Sequence, residues 1–345
     1  MDFRLTDDER ALRDAARSLL DREVTSKLLR ERYADPGASA ERLWTAVTGA
    51  GWTSLAIPEE AGGLGLGAVE AALVCEEAGR ALAPVPLWET ASLATALLRE
   101  AGAIPTLGRI CGGARATGVV AAPDITPGPG STLSGRVVLV PEVHVAELVV
   151  VPAQGQLFVV EVADAVLVTH DCLDRTRILS DLLLQDTPGV TVGPLSDAAV
   201  ARATEEASVT LSAQTLGTAR RLLDATVAYV CTREQFGVPI GSFQAVQHKL
   251  ADVLVAVERA WAATYYAAMA VQADAPDRSS AVAVAGAATA DASRLAAKEA
   301  VQCHGGIGYT WEHDLHLAVR RVYGDQPLLG GAAEHRARLA DLLEI

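Results

Sequence analysis

Arg233-Glu234-Gln235-Phe236-Gly237-Val238-Pro239-Ile240-Gly241-Ser242-Phe243-Gln244-Ala245-Val246-Gln247-His248-Lys249-Leu250-Ala251-Asp252 is the stretch on which the reading of this chain turns. It places an arginine at the end of one long helical run, breaks at Phe236-Gly237, and opens a second run whose first turn carries Gln244. A guanidinium and the free amides of a helix start would then converge on one point, which is anion-binding geometry. The same residues also read as a helix-terminal cation, Arg233, beside a hydrophobic anchor, Phe243, and spacing alone leaves both readings open.

Outward from this break the chain is helical. Ala-rich runs at about 198–232, 244–273 and 278–304 have bundle lengths and are closed by Gly237, Pro239, Gly241 and Gly305-Gly306. In Gln302-Cys303-His304-Gly305-Gly306-Ile307-Gly308-Tyr309-Thr310-Trp311-Glu312 the paired glycines end a helix and admit a flat ligand close to the backbone, or form only a helix stop. Upstream, from about 116 to 195, β-branched residues alternate in short segments such as Arg136-Val137-Val138-Leu139-Val140 and Leu157-Phe158-Val159-Val160-Glu161-Val162, with Pro/Gly turns between them. That pattern predicts a small antiparallel barrel or sandwich. The first segment reads as helical, opening on a Thr6/Glu9 capping box, with further helices near 41–51 and 68–82. The expected architecture is α+β and multidomain: a helical N-terminal domain over 1–110, a small β domain, barrel or sandwich, over 111–196 and a C-terminal helical bundle over 197–345. Strands and helices do not alternate, which disfavours Rossmann and barrel enzymes.

Composition narrows the function. A chain of 345 residues exceeds one ordinary core, since domains cluster near ~100–150 residues. Half of it is hydrophobic but only 4% aromatic, so the apolar content is Ala, Leu and Val suited to close helix packing. A net charge of −14 is the opposite of a nucleic-acid footprint. Five scattered cysteines without a CxxC pair read as reduced thiols, and no apolar stretch reaches membrane-spanning length, so the expectation is a cytoplasmic protein with no membrane partner. The glycines of Pro58-Glu59-Glu60-Ala61-Gly62-Gly63-Leu64-Gly65-Leu66-Gly67 follow no buried strand and lack dinucleotide-loop spacing, so they read as a tightly bent structural loop. His313 and His316 share helical spacing but have no third ligand at convincing distance, and no metal site is expected.

Three motifs in order, Pro58-Glu59-Glu60-x-Gly62-Gly63-x-Gly65 with Glu76-Glu77-x-Gly79-Arg80, the Arg233-to-Asp252 pattern, and Gln302-x-x-Gly305-Gly306-x-Gly308-Tyr309-Thr310, resemble the acyl-CoA dehydrogenase family of flavoproteins over nearly the whole chain. The resemblance implies a helical N-terminal domain, a β-barrel middle domain and a C-terminal four-helix bundle, with FAD shared across a subunit interface and an acyl-CoA thioester substrate. It implies that Arg233 and Gln244 hold the pyrophosphate, that Gln235, Phe236, Gly237 and Phe243 belong to the same cofactor-binding segment, and that Gln302, Gly305 and Gly306 lie by the adenosine portion of a neighbour's flavin.

The chain departs from the family where the chemistry lies. The family removes an α-proton with a glutamate while a β-hydride leaves to the flavin, and that position falls here on Leu329 in Leu328-Leu329-Gly330-Gly331. The alternative base position, on the first helix of the bundle, falls on Ala207, with Glu205 and Glu206 just before it. Glu206 is a weak candidate base, because one residue turns a helical side chain by about 100°, and its plainer reading is a solvated acidic turn. Groups expected beside the flavin ring are replaced by Leu139-Val140-Pro141. The retained adenosine side and the missing ring side imply a hetero-oligomer, dimer or tetramer, in which a homologous subunit supplies the base, as in breakdown of steroid side-chain thioesters. The rival readings are a self-sufficient homo-oligomer using Glu206 and a non-redox thioester- or flavin-binding scaffold.

Overall fold

The computed structural model describes residues 4–37, 40–328 and 330–345, so the base position Leu329 lies outside the described residues. The N-terminal third is helical: α1 (Asp7–Glu23), α2 (Ser26–Ala34), α3 (Glu41–Gly49), α4 (Ala68–Ala81), α5 (Thr95–Glu100) and α6 (Ile104–Cys111). The capping box at α1 is formed, with Glu9 N–H donating to Thr6 Oγ1 at 3.2 Å and Thr6 N–H to Glu9 Oε2 at 2.6 Å. The glycine loop is structural, as expected. A Cβ on Gly63 would stand 2.1 Å from the Ile57 carbonyl oxygen, so only glycine permits the bend.

The middle strands close no barrel. They form two open four-stranded sheets, ordered β1-β4-β5-β8 and β2-β3-β7-β6. The strands are β1 (Ala116–Gly118), β2 (Thr126–Pro127), β3 (Thr132–Pro141), β4 (Leu148–Ala153), β5 (Gln156–Glu161), β6 (Val166–Thr169), β7 (Leu179–Pro188) and β8 (Val190–Pro194). Their pairing is antiparallel except for β1 beside β4, which is parallel because an edge strand arriving from α6 has no hairpin to dictate its direction. Inward residues of both sheets, among them Leu133, Val140, Val149, Val151, Phe158 and Leu182, share one apolar core.

The C-terminal region is helical. α7 (Asp197–Thr232) ends at a short hairpin, β9 (Glu234–Gln235) with β10 (Val238–Pro239), from which the chain enters α8 (Gln244–Gln272), α9 (Arg278–His304) and α10 (Leu315–Asp325). α11 (Ala332–Leu342) is added beyond the four helices expected, held to α9 by an Arg336–Asp291 ion pair. Among the described residues no helix is long and apolar enough to cross a membrane.

By contacts the chain forms two compact units, one of residues 1–29, 72–83 and 211–345 and another of 30–71 and 84–210. In the first, the later part of α4 crosses α7 at bare backbone: a Cβ on Gly79 would lie 1.7 Å from the Gln214 carbonyl oxygen, and one on Gly217 1.8 Å from that of Glu76. Around this crossing Arg220 and Tyr265 both donate to Glu76, at 2.8 and 2.9 Å. Arg17 and Arg80 donate to Glu77, at 2.6 and 2.8 Å. Burial pushes the Glu76 carboxyl above its ordinary range, against the pull of the Arg220 charge. In the second unit, residues Glu89–Ala94 make a fully buried π-helical turn in line with α5.

Candidate functional site

The first unit carries a cleft of about 590 Å³ at the point where the two informative stretches meet. One wall is the end of α7 and the hairpin that follows. Arg233 N–H donates to the Tyr229 carbonyl at 2.8 Å, so the helix continues to the arginine before the chain turns. Phe236 and Gly237 both have positive φ, 54° and 79°, which is what a two-residue hairpin of the primed type requires. Glycine adopts this without strain, but phenylalanine does not, and Phe236 stands 92% exposed with its edge toward Phe243 at 6.2 Å. The opposite wall is the end of α9 and the turn Gly305–Tyr309.

Of the residues singled out in the sequence, Arg233, Gln235, Gly305 and Gly306 line this cleft together. Phe236, Gly237, Phe243, Gln244 and Gln302 are exposed nearby in sequence but do not line it. Gln244 is the first residue of α8, whose N-terminus has no side-chain cap, so its leading amides keep their capacity for an anion. Gly306 has an ordinary φ, and a Cβ placed on it would meet nothing within 4 Å. Neither backbone conformation nor crowding within the chain requires a glycine there.

Of the further lining residues, His304, Thr310 and Glu312 lie within the second stretch but carry no assigned role in sequence, and Tyr229 lies outside both stretches. Tyr229 was signalled by its place one helical turn before Arg233. His304 is buried, stacks on Tyr229 at 4.2 Å between ring centres, and meets His313 edge-on at 5.0 Å. The other histidine of the i, i+3 pair, His316, packs instead against Trp311 at 4.6 Å, so the two rings serve different neighbours.

The second unit holds the weak candidate base. Glu206 is no solvated turn: it is buried, and both of its carboxylate oxygens are bonded by Arg99, one at 3.3 Å and one more closely. Burial works against the Arg99 charge, and Glu206 overcomes it, leaving the guanidinium above its ordinary pKa. The adjoining alternative position, Ala207, is fully buried, with the Trp88 indole N–H donating to its carbonyl at 2.8 Å.

Family models for the acyl-CoA dehydrogenase N-terminal and C-terminal domains match residues 6–103 and 198–343. The chain belongs to the acyl-CoA dehydrogenase family. Among curated members it is 36% identical to acyl-CoA dehydrogenase FadE34 of Mycobacterium tuberculosis over 90% of this chain, but spans only 44% of that protein. It is 34% identical to acyl-CoA dehydrogenase IpdE2 of the same organism, with 96% of both chains covered. Among solved structures it matches a variant of the Tcur3481-Tcur3483 steroid ACAD with a TM-score of 0.89 and 32% identity, over 98% of each chain. It also matches the ChsE4-ChsE5 complex from Mycobacterium tuberculosis, with a TM-score of 0.91 and 28% identity over 100% of this chain and 99% of that one. Family membership gives the chain an oxidoreductase fold for acyl-CoA, and the cleft falls within the matched C-terminal domain.

Proposed function

We propose that this chain is one half of an FAD-dependent, hetero-oligomeric acyl-CoA dehydrogenase that forms α,β-unsaturated thioesters, its substrates being bulky acyl-CoA such as steroid side-chain thioesters. The observation that carries the reading is an imbalance. Arg233 and the open backbone at Gly305–Gly306 converge on one cleft, while Glu206 is committed to Arg99 and leucine stands at the usual base position. In the proposed complex Arg233 pairs with a diphosphate, which a planar guanidinium binds through two parallel hydrogen bonds. Gly306 lets the main chain approach the adenosine half. FAD, when bound, accepts the hydride leaving the β-carbon; removal of the α-proton falls to a carboxylate of the homologous partner. The heteromeric and steroid parts of the proposal draw support from the likeness to the Tcur3481-Tcur3483 steroid ACAD and the ChsE4-ChsE5 complex.

Flavin per protomer and anaerobic bleaching by a steroid side-chain acyl-CoA test this directly, with the chain purified alone and with a homologous subunit. We expect the lone chain to be colourless and inactive, and the pair to hold FAD at half the number of protomers and to bleach. A lone chain carrying one flavin per protomer and bleached by substrate would overturn the proposal.

A further inference from the structure

We infer that His304 is a positioning residue: its ring, held neutral, sets the distance between the Arg233 wall and the Gly305–Gly306 wall of the cleft. This rests on the cleft being the nucleotide site proposed above, but the geometry stands by itself. The imidazole contacts three separate segments. Its Nδ1–H closes the last turn of α9 on the Ala300 carbonyl at 2.8 Å. Its face lies on Tyr229, with 18° between the planes, and the Tyr229 carbonyl receives the Arg233 amide. Its edge meets His313 in the loop leading to α10. With Nδ1 donating, Nε2 is left as the unprotonated nitrogen, and among the described residues it is buried without a hydrogen-bond partner. A proton there would be a buried, unpaired charge, so the stack is stable only with the ring neutral.

The surroundings agree. Burial holds His304 below the ordinary histidine pKa, the Ala300 bond opposing and the neighbouring His313 adding to the shift. Among the described residues, the charged and titratable groups lining the cleft beside His304 or packed on it are Tyr229 and Arg233 on the α7 side, Cys303 on α9 and Glu312 and His313 in the loop. Stacking is a property of the ring and not of its nitrogens, so a phenyl ring should replace it where a flexible amide of similar polarity cannot.

The test is amide hydrogen exchange on the full chain, for which no cofactor is needed, with His304→Ala, His304→Gln and His304→Phe. We expect the Ala and Gln variants to speed exchange by about tenfold or more in both 229–240 and 300–308, and the Phe variant to remain near wild type. FAD retention by the heteromer should follow the same order. Acceleration confined to 300–308, or a Phe variant as fast as the Ala variant, overturns the inference. If the exchange pattern holds but neither the chain nor the heteromer retains FAD, the positioning role stands and the proposed function falls.

Discussion

At the scale of single residues, Gly306 and Arg233 separate stability from binding. A methyl group on Gly306 meets nothing within 4 Å, so Gly306→Ala should leave the unfolding free energy within the ±0.5 kcal/mol typical of open surface sites. The same methyl occupies the face on which the proposed nucleotide lies, and FAD affinity should fall by about tenfold, ~1.4 kcal/mol. Arg233→Gln keeps one neutral donor but removes the second, charge-assisted hydrogen bond to a diphosphate, worth about 1.5–3 kcal/mol, and should weaken FAD by about 10- to 100-fold. Titrating flavin fluorescence against the heteromer, beside urea unfolding of each variant, reads both quantities. Loss of stability in Gly306→Ala would mean that the glycine serves the fold and not a ligand. Both residues were legible in sequence because their spacing marks helix ends. His304 and Tyr229 were not, because ring stacking between two helices far apart in sequence leaves no periodic trace in either.

At the scale of elements, the crossing of α4 and α7 depends on two glycines that bring backbone against backbone. Each Cβ would enter a carbonyl oxygen of the facing helix, where no side-chain rotation gives relief. Overpacking of this kind costs about 3 kcal/mol at the upper end of its usual range, and we expect that loss from Gly79→Ala or Gly217→Ala singly. Urea denaturation followed by far-UV circular dichroism checks it; a loss below about 1 kcal/mol would show that the helices can slide apart. Long helices were readable to within a residue or two, since 198–232 and 278–304 anticipate Asp197–Thr232 and Arg278–His304. The strands were read less well. β7 escaped notice because Asp181, Gln185, Asp186 and Pro188 give it a turn-like composition, although Asp181 is buried under Arg136 and His170. The π-helical turn at Glu89–Ala94 has no distinguishing composition, and its polar Glu89, Thr90 and Ser92 are all buried.

At the scale of the whole molecule, the order α, β, α is read along the chain, while compactness is a property of space that joins residues 72–83 to 1–29 and 211–345. The two units also contain buried carboxylates with opposite proton linkage. Hydrogen bonds from Arg136, then His170, then the Leu139 amide hold Asp181 well below the usual carboxylate range. A depressed folded-state pKa gives stability that is fully present above the unfolded value of about 4 and is lost as pH falls from there toward the depressed folded-state value. Glu76 is shifted the other way by burial, so the native state binds its proton more tightly than the unfolded chain does. Its contribution is greatest at low pH and declines as pH rises through the carboxylate range. Acidification should therefore loosen the β3-β7-β6 pairing while sparing the α4-α7-α8 junction. Pulsed hydrogen exchange in urea, compared after equilibration at about pH 3 and about pH 7, should show protection in 132–141 and 179–188 falling first and protection in 72–81 and 214–222 persisting. Asp181→Asn should lower protection of the strands at neutral pH and flatten its pH dependence, because an amide cannot form the ion pair with Arg136. Simultaneous loss of protection in both sets of segments, or an undiminished acid dependence in Asp181→Asn, would show that the acid response originates elsewhere.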